Sequence, residues 1–250
     1  MKYVGVDVGG TKILARLIDP DTGRAEGRAK SPTPRTNPAE ILDAVVDSVH
    51  RLSGSAEAVA VGLGMPGLVI DHSVVGPCPN LSGWGQPVDA GAALSEALGK
   101  PVIGANDVNC GALAEQRVGV GKGVPDLLTV FVGTGVGGGL ILGGRLVTGA
   151  RGMAGEIGHL TVHPGGRRCG CGGLGHLEAY AGRAGIEREA RARVADGDTS
   201  RLVELASTGA IKSRHIARSL SEGDALTDEL LDDAADALAI GVGNMATVLD

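Results

Sequence analysis

Val132 to His159 reads VGTGVGGGLILGGRLVTGARGMAGEIGH. A glycine-dense turn lies between two apolar runs, and a carboxylate and an imidazole follow at Glu156 and His159. At Gly133, Gly135, Gly137, Gly138 and Gly139 no side chain covers the backbone N–H groups. Such a turn can wrap a phosphate, because its amides act as oriented donors toward an anion. The spacing Gly133-x-Gly135-x-x-Gly138 also fits a dinucleotide fingerprint, but that site needs a helix after the glycines. Leu140 to Val147, LILGGRLV, follows instead and reads as a hairpin, which excludes the dinucleotide fold.

Just downstream, residues 169–178 read CGCGGLGHLE. His159, Cys169, Cys171 and His176 offer two thiolates and two imidazoles, a complete tetrahedral set for Zn²⁺, and His163 is an alternative to one of the histidines. With all four positions filled the metal is structural, a staple for the loop that carries Glu156 and Glu178. A Cys-x-Cys pair in a glycine-rich loop has little core to bury it, unlike Cys78 and Cys110, which read as ordinary buried thiols. This cysteine usage favours thiolate ligands in a reducing compartment over disulfides.

Upstream, Asp7-Val8-Gly9-Gly10-Thr11-Lys12 is a strand–turn–strand. A bare hairpin needs only the glycines. The functional alternative is that the turn amides and the Thr11 hydroxyl grip phosphate while Asp7 helps to hold Mg²⁺. The Walker pattern is absent, so this is not a P-loop protein. Asn106-Asp107 falls between a strand and a helix. Asp107 reads either as the helix N-cap or as a general base at a strand end that opens into a cleft.

The elements around these motifs alternate. Strands are expected over Tyr3–Asp7 and Ile13–Ile18, and the turn Asp19-Pro20-Asp21-Thr22-Gly23 leads to a third strand in a meander. Ser31–Pro38 reads as a loop and Pro38 as the first residue of a helix over Ala39–Leu52. A strand at Ala58–Leu63, a helix at Val88–Leu98, a strand at Pro101–Ala105 and a helix at Val108–Val118 follow. Strands flank the glycine turn at Leu127–Val132 and Gly139–Leu142, and from Leu177 the chain is mainly helical, ending in Asp228–Leu249. A strand meander followed by helices and strands, begun again at Leu127, is the pattern of a duplicated α/β lobe.

Composition agrees with two aliphatic lobes: 250 residues, 43% hydrophobic, only 2% aromatic, with 43 glycines. A net charge of −6 with scattered arginines gives no nucleic-acid footprint. The start, MKYVGVDVGG, is too short in apolar length for a signal peptide, and no apolar run approaches the roughly 18 residues of a membrane span.

Together these residues resemble the ROK family of sugar kinases and sugar-responsive repressors, the glucokinases most closely. The likeness rests on DVGGTK at 7–12, GMPG at 64–67, PNLSGW at 79–84, AND at 105–107, VGTGVGGGL through GEIGH at 132–159 and CGCGGLGHLE at 169–178. It implies an α/β fold of the actin-like, ribonuclease-H-type ATPase class, two lobes around a cleft. Residues 1–118 would form the lobe with the first phosphate motif and the catalytic Asp, and 119–250 the lobe with the second phosphate motif and the zinc loop. It implies transfer of the γ-phosphate of ATP to the 6-hydroxyl of a hexose, glucose above others such as N-acetylmannosamine, allose or fructose, with Mg²⁺ and a structural Zn²⁺. Asp107 would be the general base; Asn80, Asn106, Asp107, Glu156, His159 and Glu178 would bind sugar. Asp7, Gly9, Gly10, Thr11, Lys12, Thr134 and Gly135 would face the phosphates, and Trp84 would report on closure around the sugar. A cytoplasmic glycolytic enzyme, a homodimer or homotetramer with neither nucleic-acid nor membrane partners, is the expectation.

Two departures from the family stand out. The family's zinc loop usually has a third cysteine where this chain has His176. The family also continues into a strand with a glycine-rich adenosine motif and a closing helix, so this sequence is expected to be cut short at Asp250. Two other classes are weighed against the kinase. A repressor of the same family carries an N-terminal helix-turn-helix, for which a strand beginning at Tyr3 leaves no room. An idle sugar-binding protein does not explain an intact Asp107 and two phosphate turns.

Overall fold

Alternating side chains make the first strand, β1 (Lys2–Val8), a central one: Val4, Val6 and Val8 are buried on one face. The computed structural model describes residues 1–78 and 80–249. Pro79, the first residue of the PNLSGW stretch, and Asp250 lie outside the described residues. β1 is followed by β2 (Lys12–Ile18) and β3 (Ala25–Pro32), which close an antiparallel meander. The strand β3 runs into the segment expected as a loop. Helix α1 (Pro38–His50) starts with Pro38 inside its first turn, and the Asn37 side chain accepts from the Glu40 N–H at 3.0 Å. β4 (Ala58–Met65) follows. Three two-residue strands, β5 (Val69–Ile70), β6 (Val74–Val75) and β7 (Val88–Asp89), form a small sheet of their own. Helix α2 (Ala90–Leu98) therefore begins two residues later than its apolar pattern indicates, capped by the Asp89 carboxylate on the Ala92 N–H. β8 (Val102–Asn106) and α3 (Asp107–Val118) come next.

The first sheet has the order β3-β2-β1-β4-β8, with β1, β4 and β8 parallel. Its faces bury Ile13, Leu63 and Met65 together with Ile41 of α1 and Leu94 of α2. Each such side chain contributes about 1.5–3 kcal/mol relative to exposure.

The meander then recurs. β9 (Leu127–Val132), β10 (Val136–Leu142) and β11 (Arg145–Leu146) form a sheet in the order β11-β10-β9. Gly143 and Gly144, both at positive φ, make the two-residue turn of the predicted β10–β11 hairpin. The rest is helical: α4 (Leu177–Ala181), α5 (Arg183–Ala195), α6 (Arg201–Ala206), α7 (Ser213–Ser221) and α8 (Ala225–Leu249). Two compact units result. One comprises Met1–Thr129 with Gly139–Ala154, and the other Val130–Gly138 with the chain from Gly155 on. The second has its own core, in which Leu177, Leu202, Ile211 and Leu230 are fully buried. Asp224 ties its helices together. Burial works against the carboxylate, but the hydroxyls of Thr227, Ser219 and Ser200 and the Leu202 N–H hold its pKa down at about 2.

Trp84 departs from expectation. It is 2% exposed in the core of the first unit, and its indole N–H donates to the Val75 carbonyl at 3.4 Å. The loop around it closes on itself, with Cys78 N–H donating to the Trp84 carbonyl at 2.8 Å. An indole held this way is shielded from solvent. Iodide should leave the emission of the native protein almost unquenched and quench it strongly after unfolding in denaturant. Strong quenching of the native protein would contradict the burial.

Candidate active site

The register of the parallel strands positions the candidate residues of the first unit. Asp7 of β1 stands opposite Gly64 of β4, and Met65 of β4 opposite Asn106 of β8, so the carboxyl ends of three strands align. That end of an open α/β sheet is where ligands bind. The turn after Asp7 is closed by Gly9 N–H donating to the Lys12 carbonyl at 2.9 Å, with the Thr33 hydroxyl donating to the Gly9 carbonyl at 2.6 Å. Gly10, Thr11 and Lys12 remain exposed. A Cβ at Gly10 would stand 2.7 Å from the Asn80 carbonyl, so the missing side chain is what lets the Asn80 loop lie against this turn.

Asn106 and Asp107 divide the work at the start of α3. The cap is Asn106: its Oδ1 accepts from the N–H groups of Val108 (2.9 Å) and Asn109 (3.1 Å). Its Nδ2 donates to the Gly67 carbonyl at 3.0 Å, which holds the GMPG turn in place. Asp107 is the first helical residue rather than the cap, and its Oδ1 accepts from the Val108 N–H at 2.9 Å. Burial raises the pKa of its carboxyl above the ordinary value, the Val108 N–H opposes this, and the negative charge of Asp7 adds to the rise. A carboxylate shifted this way is a stronger base toward a hydroxyl proton. Beside Asn106 lies a cavity of about 160 Å³ lined also by Asn109, Asp71, Thr148 and Arg151. Asn109 is 7% exposed, and among the described residues its Oδ1 has no hydrogen-bond partner.

The glycine turn belongs to the second unit and is shorter than its glycines suggest. β10 begins at Val136, so Gly137, Gly138 and Gly139 are strand residues. A Cβ at Gly138 would meet the Gly155 carbonyl at 2.7 Å and Ile157 at 2.6 Å, so this glycine serves close packing of the GEIGH segment. The turn proper is Gly133-Thr134-Gly135, between β9 and β10. The Arg183 N–H donates to the Gly133 carbonyl at 3.1 Å and the Ala184 N–H to the Thr134 carbonyl at 2.9 Å. Across a trans peptide the N–H points opposite to the C=O. The amides of Thr134 and Gly135 therefore point together away from α5, as paired donors. The next amide, Val136 N–H, donates to Glu178 Oε2 at 3.0 Å.

The metal-ligand set comes together. The donor atoms of His159, Cys169, Cys171 and His176 all lie within 4.8 Å of one another. Cys171 Sγ is 3.2 Å from His176 Nδ1, and Cys169 Sγ is 3.9 Å from His159 Nδ1. Four such donors around one Zn²⁺ would stand about 3.3–3.8 Å apart, so the cluster fits a tetrahedral ion after a small contraction. Burial pushes the Cys169 thiol up to about 11, with Cys171 and Glu178 adding to the rise. A cation at the centre reverses that preference and makes the thiolate the stable form. His163, the alternative ligand, packs at a tilt against Tyr180 with ring centres 4.8 Å apart and stays outside the cluster. His159 carries two assigned roles, and its ring divides them. Nδ1 faces Cys169, while Nε2 is 4.0 Å from a Glu156 carboxylate oxygen. Glu178 links cluster and turn, since Cys169 Sγ donates to its Oε1 at 3.5 Å.

The pattern of these motifs finds a match over almost the whole sequence: the model of the ROK family covers residues 3–250. This chain belongs to the ROK family. Among its relatives, the glucokinase of Streptomyces coelicolor is 34% identical over 99% of this chain and 78% of its own length. An N-acetylmannosamine kinase of Escherichia coli is 34% identical over 91% of this chain and 80% of its own. A ROK hexokinase from Thermus thermophilus superposes with a TM-score of 0.84 at 36% identity, covering 100% of this chain and 79% of that one. A ROK glucokinase from Streptomyces griseus, solved with glucose and AMPPNP, gives 0.81 at 33% identity over 100% and 80%. The α/β, actin-like ATPase fold implied by the resemblance is the fold of these ROK structures. Among the described residues no helix is long and apolar enough to cross a membrane.

Proposed function

We propose that this ROK protein is a hexose kinase that transfers the γ-phosphate of ATP to a 6-hydroxyl, with glucose as the preferred acceptor. The observation that carries the reading is Asp107, half-buried at the aligned carboxyl ends of β1, β4 and β8 beside Asp7, with a carboxyl that gives up its proton reluctantly. In this reading Asp107 takes the proton of the attacking hydroxyl. The turn at Gly9–Lys12 in the first unit and the amides of Thr134 and Gly135 in the second are each read as a phosphate turn. Phosphoryl transfer needs positioning and charge neutralisation more than covalent chemistry, and amides and a base supply both. Asp7, exposed at the end of β1, would hold Mg²⁺, which neutralises phosphate charge when bound. Asn80, Asn106, Glu156, His159 and Glu178 would read sugar hydroxyls. The Cys₂His₂ cluster would hold Zn²⁺ and fix the loop that carries His159 and Glu178. A glucokinase and an N-acetylmannosamine kinase stand at the same 34% identity to this chain.

A hexose panel at saturating MgATP, read by coupled ADP release, tests this reading. Glucose should give the highest kcat/KM, above mannose, fructose, allose and N-acetylmannosamine. A higher value for N-acetylmannosamine would move the specificity to the acylated sugar. Sugar binding without ADP release would replace the kinase by a binding protein.

A further inference from the structure

Arg183 opens α5, and its guanidinium donates to the Thr134 hydroxyl at 2.7 Å. Among the described residues it makes no ion pair, unlike Arg167, Arg191, Arg193 and Arg201 of the same unit; Arg168, Arg188 and Arg214 also make none, but their partners are carbonyls or a histidine rather than the turn. A cation left without a counter-charge beside two outward-facing amides suits a multiply charged anion. The contact also decides the orientation of Thr134. A hydroxyl that accepts from Arg183 keeps its own proton to donate elsewhere.

We propose that Arg183 is a donor-phosphate residue of this enzyme: it sets the Thr134 hydroxyl to donate toward the polyphosphate chain and adds the positive charge that the turn's amides lack. The inference rests on the reading of Gly133–Gly135 as the donor site and adds a residue to it. A purely structural clamp is the competing role, since the backbone N–H of Arg183 already anchors Gly133. The two roles separate by readout. A clamp acts on stability and on all kinetic constants alike, while a phosphate residue acts on the donor alone.

The test compares wild type with Arg183→Gln and Arg183→Lys. It measures KM for MgATP, KM for the hexose, melting temperature, and inhibition by inorganic tripolyphosphate in Mg²⁺. Tripolyphosphate has no adenosine, so its inhibition constant reads the phosphate site alone. Arg183→Gln should raise KM for MgATP and the tripolyphosphate inhibition constant about tenfold, the loss expected for one charge-assisted hydrogen bond. KM for the hexose and the melting temperature should stay at wild-type values. Arg183→Lys, which keeps the charge and loses the planar fork, should recover a substantial part of both constants. Unchanged donor constants in Arg183→Gln, or equal losses in the two variants, would overturn the proposal while leaving the kinase reading intact. A wild type that neither turns over MgATP nor is inhibited by tripolyphosphate would overturn the donor-site reading itself.

Discussion

Asp107→Asn should keep hexose binding and lose turnover by about 10²–10⁴-fold, the range for removing a general base. The substitution is nearly isosteric, and the amide oxygen can still accept from the Val108 N–H that Asp107 Oδ1 holds at 2.9 Å. Asn106 remains the cap of α3, so the helix start is untouched. Stability gives the control. Burial and Asp7 raise the pKa of Asp107 in the folded protein. A raised carboxyl contributes stability that is present below its unfolded value and is lost as pH rises through the folded value. At neutral pH the variant should therefore melt no lower than wild type, because it removes a half-buried charge. In wild type, kcat/KM should fall with acid through a pKa above the ordinary aspartate value. Asp7→Asn, whatever it does to rate, should move that limb to lower pH. Turnover of Asp107→Asn within about twofold of wild type would refute the assignment.

Cys169→Ser combined with Cys171→Ser should lower zinc content and melting temperature together. Purified wild type should carry about one zinc per chain by elemental analysis, held by two thiolates and two imidazoles. Metal that binds only the folded state adds about 4 kcal/mol at a thousandfold excess over its Kd, so the linked loss is large. Cys169 is 3% exposed and in the core cluster of the second unit, which makes the single-sulfur change a packing perturbation as well. Chelator treatment of the unmutated protein separates the two. It should reproduce the fall in melting temperature, and added zinc should restore it. A metal-free wild type of equal stability and activity would contradict the staple.

The parts of the fold that were legible are those where local chemistry and tertiary need agree. Asn37 and Pro38 start α1 because a cap and a fixed φ are both local properties. The β10–β11 hairpin follows from two adjacent glycines. The four zinc-type ligands were legible as a set because their chemistry has few other uses in a glycine-rich loop. What was misread depends on contacts distant in sequence. Gly137 and Gly138 look like loop, yet they lie in β10, where Ile157 occupies the space that a side chain at Gly138 would fill. Trp84 sits in a loop by pattern and in the core by packing, because Gly83 lets that loop press against the Thr36 carbonyl before α1. The small sheet of β5, β6 and β7 rests on two-residue strands, too short for any period to show. Asp107 and Asn106 are both competent caps, and only the hydrogen bonds say that Asn106 does the capping. Arg183 carries no local signal at all: its partner Thr134 is 49 residues away.

Phosphorus NMR of the protein incubated with glucose and MgATP tests the central claim most directly. The prediction is a glucose 6-phosphate resonance that grows in step with ADP, dependent on glucose and absent in Asp107→Asn over the same period. ATP that stays intact, or ADP accompanied only by free inorganic phosphate, would contradict it.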